Sequence, residues 1–122
     1  MDIRSFIEMQ VKGENYNVWY DKNNSAVNFD GALRLTGMQD YAPILQLLNE
    51  VASTEPPNMV LDLQRLEFLN SSGISMLSKF VIGMRKKKSV QMKILGSHSI
   101  PWQGKSLKNL QRLMPGLTLD LQ

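Results

Sequence analysis

Cysteine is missing from the 122-residue sequence, and histidine occurs once, as His98. The first absence excludes disulfides and thiolate metal sites. The second leaves no histidine cluster for zinc or iron. No stretch approaches the roughly 20 apolar residues that cross a bilayer. The opening Met1-Asp2-Ile3-Arg4-Ser5-Phe6 also lacks the apolar run of a secretion signal. Walker-type loops, dinucleotide-binding glycine patterns and a G-x-S-x-G elbow are absent as well. A soluble cytoplasmic chain is expected, without metal, cofactor or membrane partner. What is present is a 43% apolar composition, enough for one hydrophobic core and one domain. The net charge of +3 says little about partners. Its one basic run, Arg85-Lys86-Lys87-Lys88, reads as a cationic helix end that complements the macrodipole. A nucleic-acid surface needs more cations across a face, with aromatics between them, so no specific nucleic-acid partner is expected.

Hydrophobic spacing alternates between strand and helix periods. Phe6, Met9 and Val11 form an irregular pattern, a short strand or an arm, followed by a turn at Gly13-Glu14-Asn15. Asn17 to Tyr20 is strand-favouring, Lys22-Asn23-Asn24-Ser25 is a hairpin turn, and Val27, Phe29, Leu33 and Leu35 alternate as a half-buried strand. A first helix is expected from near Asp40, with Pro43 in its first turn and Tyr41, Ile44, Leu45, Leu48 and Val51 inward. Met59 to Leu63 reads as a central strand covered by helices, and Gln64 to Leu69 as a turn or irregular piece. A second helix, about Ser72 to Lys87, buries Ile74, Leu77, Phe80, Val81 and Met84. Val90 to Leu95 is a strand, Pro101 to Met114 a third helix, and Leu117 to Leu121 the last strand. Helices alternating with strands after a hairpin imply an α/β domain, its central sheet mixed but mostly parallel, with about three helices.

One segment is more specific than this pattern. Val60-Leu61-Asp62-Leu63, Leu66-Glu67-Phe68-Leu69 and Asn70-Ser71-Ser72-Gly73-Ile74 resemble the central signature of STAS domains. Those domains occur in bacterial anti-sigma-factor antagonists and in anion-transporter tails. Their buried strand, reading like "LDLS", leads through "V-x-F-I" into "D-S-S-G-L", and Gly31-Ala32-Leu33 stands where they carry "G-E-L". The resemblance implies residues 1–15 as an N-terminal extension and 16–122 as a STAS-like domain. It further implies a non-enzymatic signalling adaptor, a monomer, whose protein partners are a serine kinase or anti-sigma-factor-like regulator and a phosphatase. Ser71 corresponds to the phosphoacceptor of the partner-switching members, with Ser72 the second choice. Asn70 replaces their usual Asp, and Ala32 and Arg34 replace acidic residues.

The chemistry of the segment can be read from the residues themselves. Asn70 or Ser71 can cap the second helix, whose N-terminus tolerates an anion. Phosphorylation there adds nearly two negative charges to the surface. Arg34, if close to Ser71, would stabilise that anion. Helical spacing turns Ser75, Lys79 and Ile82 outward, with Met76 flanking them and Gly73 reducing bulk for a partner's approach. Asn70, Ser72, Gly73, Ser75, Met76, Lys79 and Ile82 are therefore the expected docking residues. Rival readings are a constitutive scaffold or small-ligand sensor that is never phosphorylated, and a serine hydrolase or transferase using Ser71. The last needs a base within hydrogen-bond reach of Ser71.

Overall fold

The computed structural model describes residues 9–122. Phe6 and most of the expected extension lie outside that range. Polar turn residues fold the chain back first: β2 (Tyr16–Asp21) pairs antiparallel with β3 (Ala26–Leu33) across the Lys22–Ser25 turn, where Ser25 adopts a φ of 52°. The short strand β1 (Gln10–Lys12), which the resemblance leaves in an extension, forms the sheet edge beside β2. Three strand–helix crossovers follow: α1 (Gly37–Ser53), β4 (Asn58–Leu69), α2 (Ser71–Met84), β5 (Gln91–Gly96), α3 (Gln103–Leu113) and β6 (Thr118–Leu121). Strands β3 to β6 are mutually parallel, and the spatial order is β1-β2-β3-β4-β5-β6. This is an α/β domain with a mixed six-stranded sheet.

A strictly sequential order has a direct consequence. Every crossover steps the same way across the sheet, so right-handed connections place α1, α2 and α3 on one face. The core lies between that helical layer and the inward side of each strand. Val18, Phe29, Leu61, Leu63 and Ile94 contribute from the sheet, against Tyr41, Leu48, Leu77, Phe80 and Leu107 from the helices. Helices therefore cover β4 on one side only. Met59, Leu61 and Leu63 are fully buried, whereas Val60 and Asp62, pointing the other way, are half-buried. Ile74 is half-buried and packs at the edge of the core, with Leu77 completely enclosed.

Two elements differ from the expectations of spacing. Helix α1 begins at Gly37, ahead of Asp40, with Thr36 extended at its N-cap and the Asp40 carboxylate accepting from the Thr36 N–H at 3.3 Å. Pro43 consequently lies inside the helix. Gln39 and Pro43 are both exposed, so water can take the carbonyl that the missing proline N–H leaves unpaired. Strand β4 runs on through Leu69, where a turn or irregular piece was expected from Gln64. Against β3 its register slips between Asn28 and Asp30 and again between Gly31 and Ala32. Each slip inserts one extra β4 residue, a β-bulge. The inward positions thus become Leu63, Leu66 and Leu69, and the period of two disappears from the sequence.

Candidate functional site

The β4–α2 junction is organised by Asn70. Its backbone is extended, its N–H donates to the Leu33 carbonyl at 3.2 Å, and its side chain caps α2 by accepting from the Gly73 N–H at 3.0 Å. The same Oδ1 accepts from the Tyr41 hydroxyl at 2.7 Å, while Nδ2 donates to the Leu35 carbonyl at 2.8 Å. One amide side chain therefore joins the start of α2, the body of α1 and the segment leading into α1. Tyr41 is completely buried, and burial raises its hydroxyl above the ordinary value, with the Leu35 backbone opposing and Tyr16 adding to the shift. The phenol thus remains a hydrogen-bond donor.

Ser71 is the first residue of α2 and is exposed, and Ser72 is half-buried. Neither hydroxyl hydrogen-bonds to any described residue. The first turn of α2 contains no acidic side chain. Ser75, Lys79 and Ile82 face solvent, as their helical spacing implies, and Ile82 is 46% exposed. Among the described residues the other large exposed apolar side chains are Met38 and Phe68. Phe68 lies two residues before the cap. Met38 lines a shallow groove along α1 that Lys79 of α2 closes from the other side.

Three expected docking or anion-binding residues have other surroundings. Met76 is fully buried, because α1 packs along α2 and widens its inward stripe to include position 76. It does not belong to an exposed surface. Gly73 is also buried, and its missing side chain serves the interior rather than a partner. A Cβ there would collide with Leu69 Cδ1 and come within 2.8 Å of the Tyr41 hydroxyl. Gly73→Ala should cost about 2 kcal/mol, the usual range for overpacking, measured as a lower denaturation midpoint with an unchanged slope. Arg34 is exposed and stacks on Phe68, its guanidinium carbon 4.5 Å from the ring centroid. It hydrogen-bonds no residue of the Asn70–Gly73 loop among those described. Gly83, by contrast, opens on empty space, with nothing within 4 Å of a Cβ built there.

His98 lies exposed in the β5–α3 loop, and its ring makes no hydrogen bond to Ser71 or to any other described residue. Among the described residues, no base is hydrogen-bonded to the Ser71 hydroxyl. The described residues also hold no cluster of three acidic, histidine or cysteine side chains that could bind a metal. No helix among them is long and apolar enough to cross a membrane.

Gln103 is a residue that sequence spacing does not reveal. It is completely buried at the start of α3. Its Oε1 accepts from the Ser97 N–H at 2.8 Å, and its Nε2 donates to the Leu63 and Leu66 carbonyls at 2.6 and 3.1 Å. Trp102 Nε1 adds a second donor to the Leu66 carbonyl at 3.2 Å. These bonds give partners to two β4 carbonyls beyond Asp62, where the pairing with β5 ends, and so fix the strand that delivers Asn70. The signal available in the sequence was a polar residue on the inward side of α3, in register with Leu107 and Leu110.

The fold defined by these elements is STAS-like. No family model matches the sequence, and no curated protein matches it either. Solved structures do. SiaC of Pseudomonas aeruginosa superposes with a TM-score of 0.70 at 11% identity, covering 93% of this chain and 95% of that one. A chain from the complex of the diguanylate cyclase SiaD with its activator SiaC, from the same organism, gives 0.69 at 11% identity, covering 93% and 98%. An anti-sigma factor antagonist from Mycobacterium paratuberculosis gives 0.56 at 20% identity, covering 89% and 81%.

Proposed function

We propose that this chain is a non-enzymatic signalling adaptor that docks a protein partner through the Asn70–Gly73 loop and the outward face of α2. The observation that carries this reading is the grouping of exposed side chains. Ser71, Ser75, Lys79 and Ile82 run along one helix face, with Phe68 before its start and the Met38 groove beside it. Large apolar residues exposed together around one element are a common mark of an interface. The structural neighbours support the same class, since one is a cyclase activator seen in complex with its cyclase and another an anti-sigma factor antagonist.

In this reading Ser71 is the switch. Its hydroxyl is accessible, and the helix N-terminus tolerates a phosphate without loss of the fold. When a partner covers the loop, the same phosphate must be desolvated, which weakens docking. A serine kinase and a phosphatase would set the balance, and the regulated process, such as sigma-factor release or cyclase activation, would belong to the partner. Phosphoserine mapping of the protein isolated from its native host should find the modification at Ser71. Should Ser71 carry none under any growth condition, the constitutive scaffold takes the place of the switch.

A further inference from the structure

Charge in this chain is segregated along the sequence. Residues 70–119 hold nine of the 14 Lys and Arg residues and none of the 11 Asp and Glu. Because the sheet order is sequential, this separation along the chain becomes a separation in space. Asp21 and Asp30 lie on β2 and β3, Asp40 and Glu50 on α1, and Asp62 and Glu67 on β4, while α2, α3 and their loops carry cations alone. On the solvent side, Lys79 and Lys86 of the α2 segment and Lys105, Lys108 and Arg112 of α3 are exposed. Two ion pairs form among the described residues, Arg65–Asp30 and Lys93–Asp120, and neither engages these five. Ile82 stands exposed between Lys79 and Lys86, with Gly83 beside it adding no side chain.

We infer that the partner presents an acidic amphipathic helix to the α2–α3 layer, its carboxylates meeting the five cations and an apolar residue covering Ile82. The inference rests on the docking reading above and names the partner's chemistry. Charge complementarity over such a face sets orientation and association rate, and an exposed apolar residue framed by cations suits a side chain better than a phosphate backbone. Duplex or single-stranded nucleic acid calls for aromatic or groove-entering elements. Here Phe80 is buried, and Trp102 is half-buried with its N–H committed to Leu66. A lipid surface needs more inserted apolar area than one isoleucine supplies. The same electrostatics accounts for the switch, since a phosphate at Ser71 places negative charge on one of the two helices that an acidic partner approaches.

The test uses a synthetic helix with glutamates flanking a leucine stripe, its scrambled counterpart, duplex DNA and phosphatidylserine vesicles. Amide chemical shifts and affinity are recorded at low and physiological salt. The patterned peptide should shift α2 and α3 resonances and bind more tightly than the scrambled peptide, the DNA or the vesicles. Ile82→Ser should weaken it severalfold, and Lys79→Glu/Lys86→Glu/Lys108→Glu about tenfold or more, with a reduced salt dependence. Equal binding of patterned and scrambled peptides, indifference to Ile82→Ser, or a preference for DNA or vesicles would overturn the inference. If Ser71→Asp abolishes capture of the native partner while the triple charge reversal leaves it intact, the docking reading stands and the acidic-partner inference falls. If the triple reversal lowers capture while the Ser71 variants behave alike, the switch falls instead.

Discussion

Gln103→Ala should destabilise the domain by about 3 kcal/mol, far more than a glutamine near a helix start usually contributes. The side chain is completely buried and makes three hydrogen bonds to backbone groups of β4 and the β5–α3 loop. Truncation leaves the Leu63 carbonyl and the Ser97 N–H without their partner, at about 1–3 kcal/mol for each buried group left unmade. The Leu66 carbonyl retains Trp102 Nε1, which limits the loss. Gln103→Glu should be no better, because it replaces the donor with an oxygen facing two carbonyl oxygens. Urea unfolding should show a lowered midpoint with little change in slope. Gln46→Ala, which removes an exposed contact to Glu50, should remain within about 0.5 kcal/mol of the parent. Equal stability of Gln103→Ala and Gln46→Ala would remove Gln103 from its role in holding the far half of β4.

Asn70→Asp should lower stability by about 2 kcal/mol at neutral pH, although aspartate is the residue that STAS antagonists usually carry there. Aspartate preserves the acceptor for Gly73 N–H and Tyr41 O–H. It cannot preserve the donor: the Nδ2 that reaches the Leu35 carbonyl at 2.8 Å becomes a second oxygen. The Leu35 carbonyl then loses its partner and faces a negative charge, a cost of about 1–3 kcal/mol. A simple gain of phosphorylation by restoring the usual acidic residue is not the expected result, since the substitution also loosens the segment entering α1. Urea unfolding at neutral pH measures the deficit, and equal stability of Asn70→Asp and the parent would contradict the role assigned to Nδ2.

Much of this arrangement can be read from short-range pattern. The Lys22–Ser25 turn, the inward stripe of α2 and the cap at Asn70 each depend on residues within one or two turns of one another, and all three are present. The features that escape the sequence depend on contacts between distant segments. Two bulges convert the β4 alternation into a spacing of three between Leu63, Leu66 and Leu69, which matches no regular element. Met76 lies at the border of the α2 stripe, and only the packing of α1 determines that it is buried. Gly73 looks like a loop glycine until Leu69 and Tyr41 are found where its side chain would be. At the site itself, the sequence places Ser71, Ser75, Lys79 and Ile82 on the surface, but it cannot show that Arg34 is occupied by Phe68.

Docking of a protein partner over the head of α2, and its release by negative charge at Ser71, can be read together in quantitative affinity capture from native-host lysate, with the parent chain, Ser71→Ala and Ser71→Asp as parallel baits of verified fold. One protein should be retained by the parent and by Ser71→Ala, and depleted about tenfold or more on Ser71→Asp, a change of roughly 1.4 kcal/mol in binding. Recovery of the same proteins in the same amounts on all three baits would contradict it.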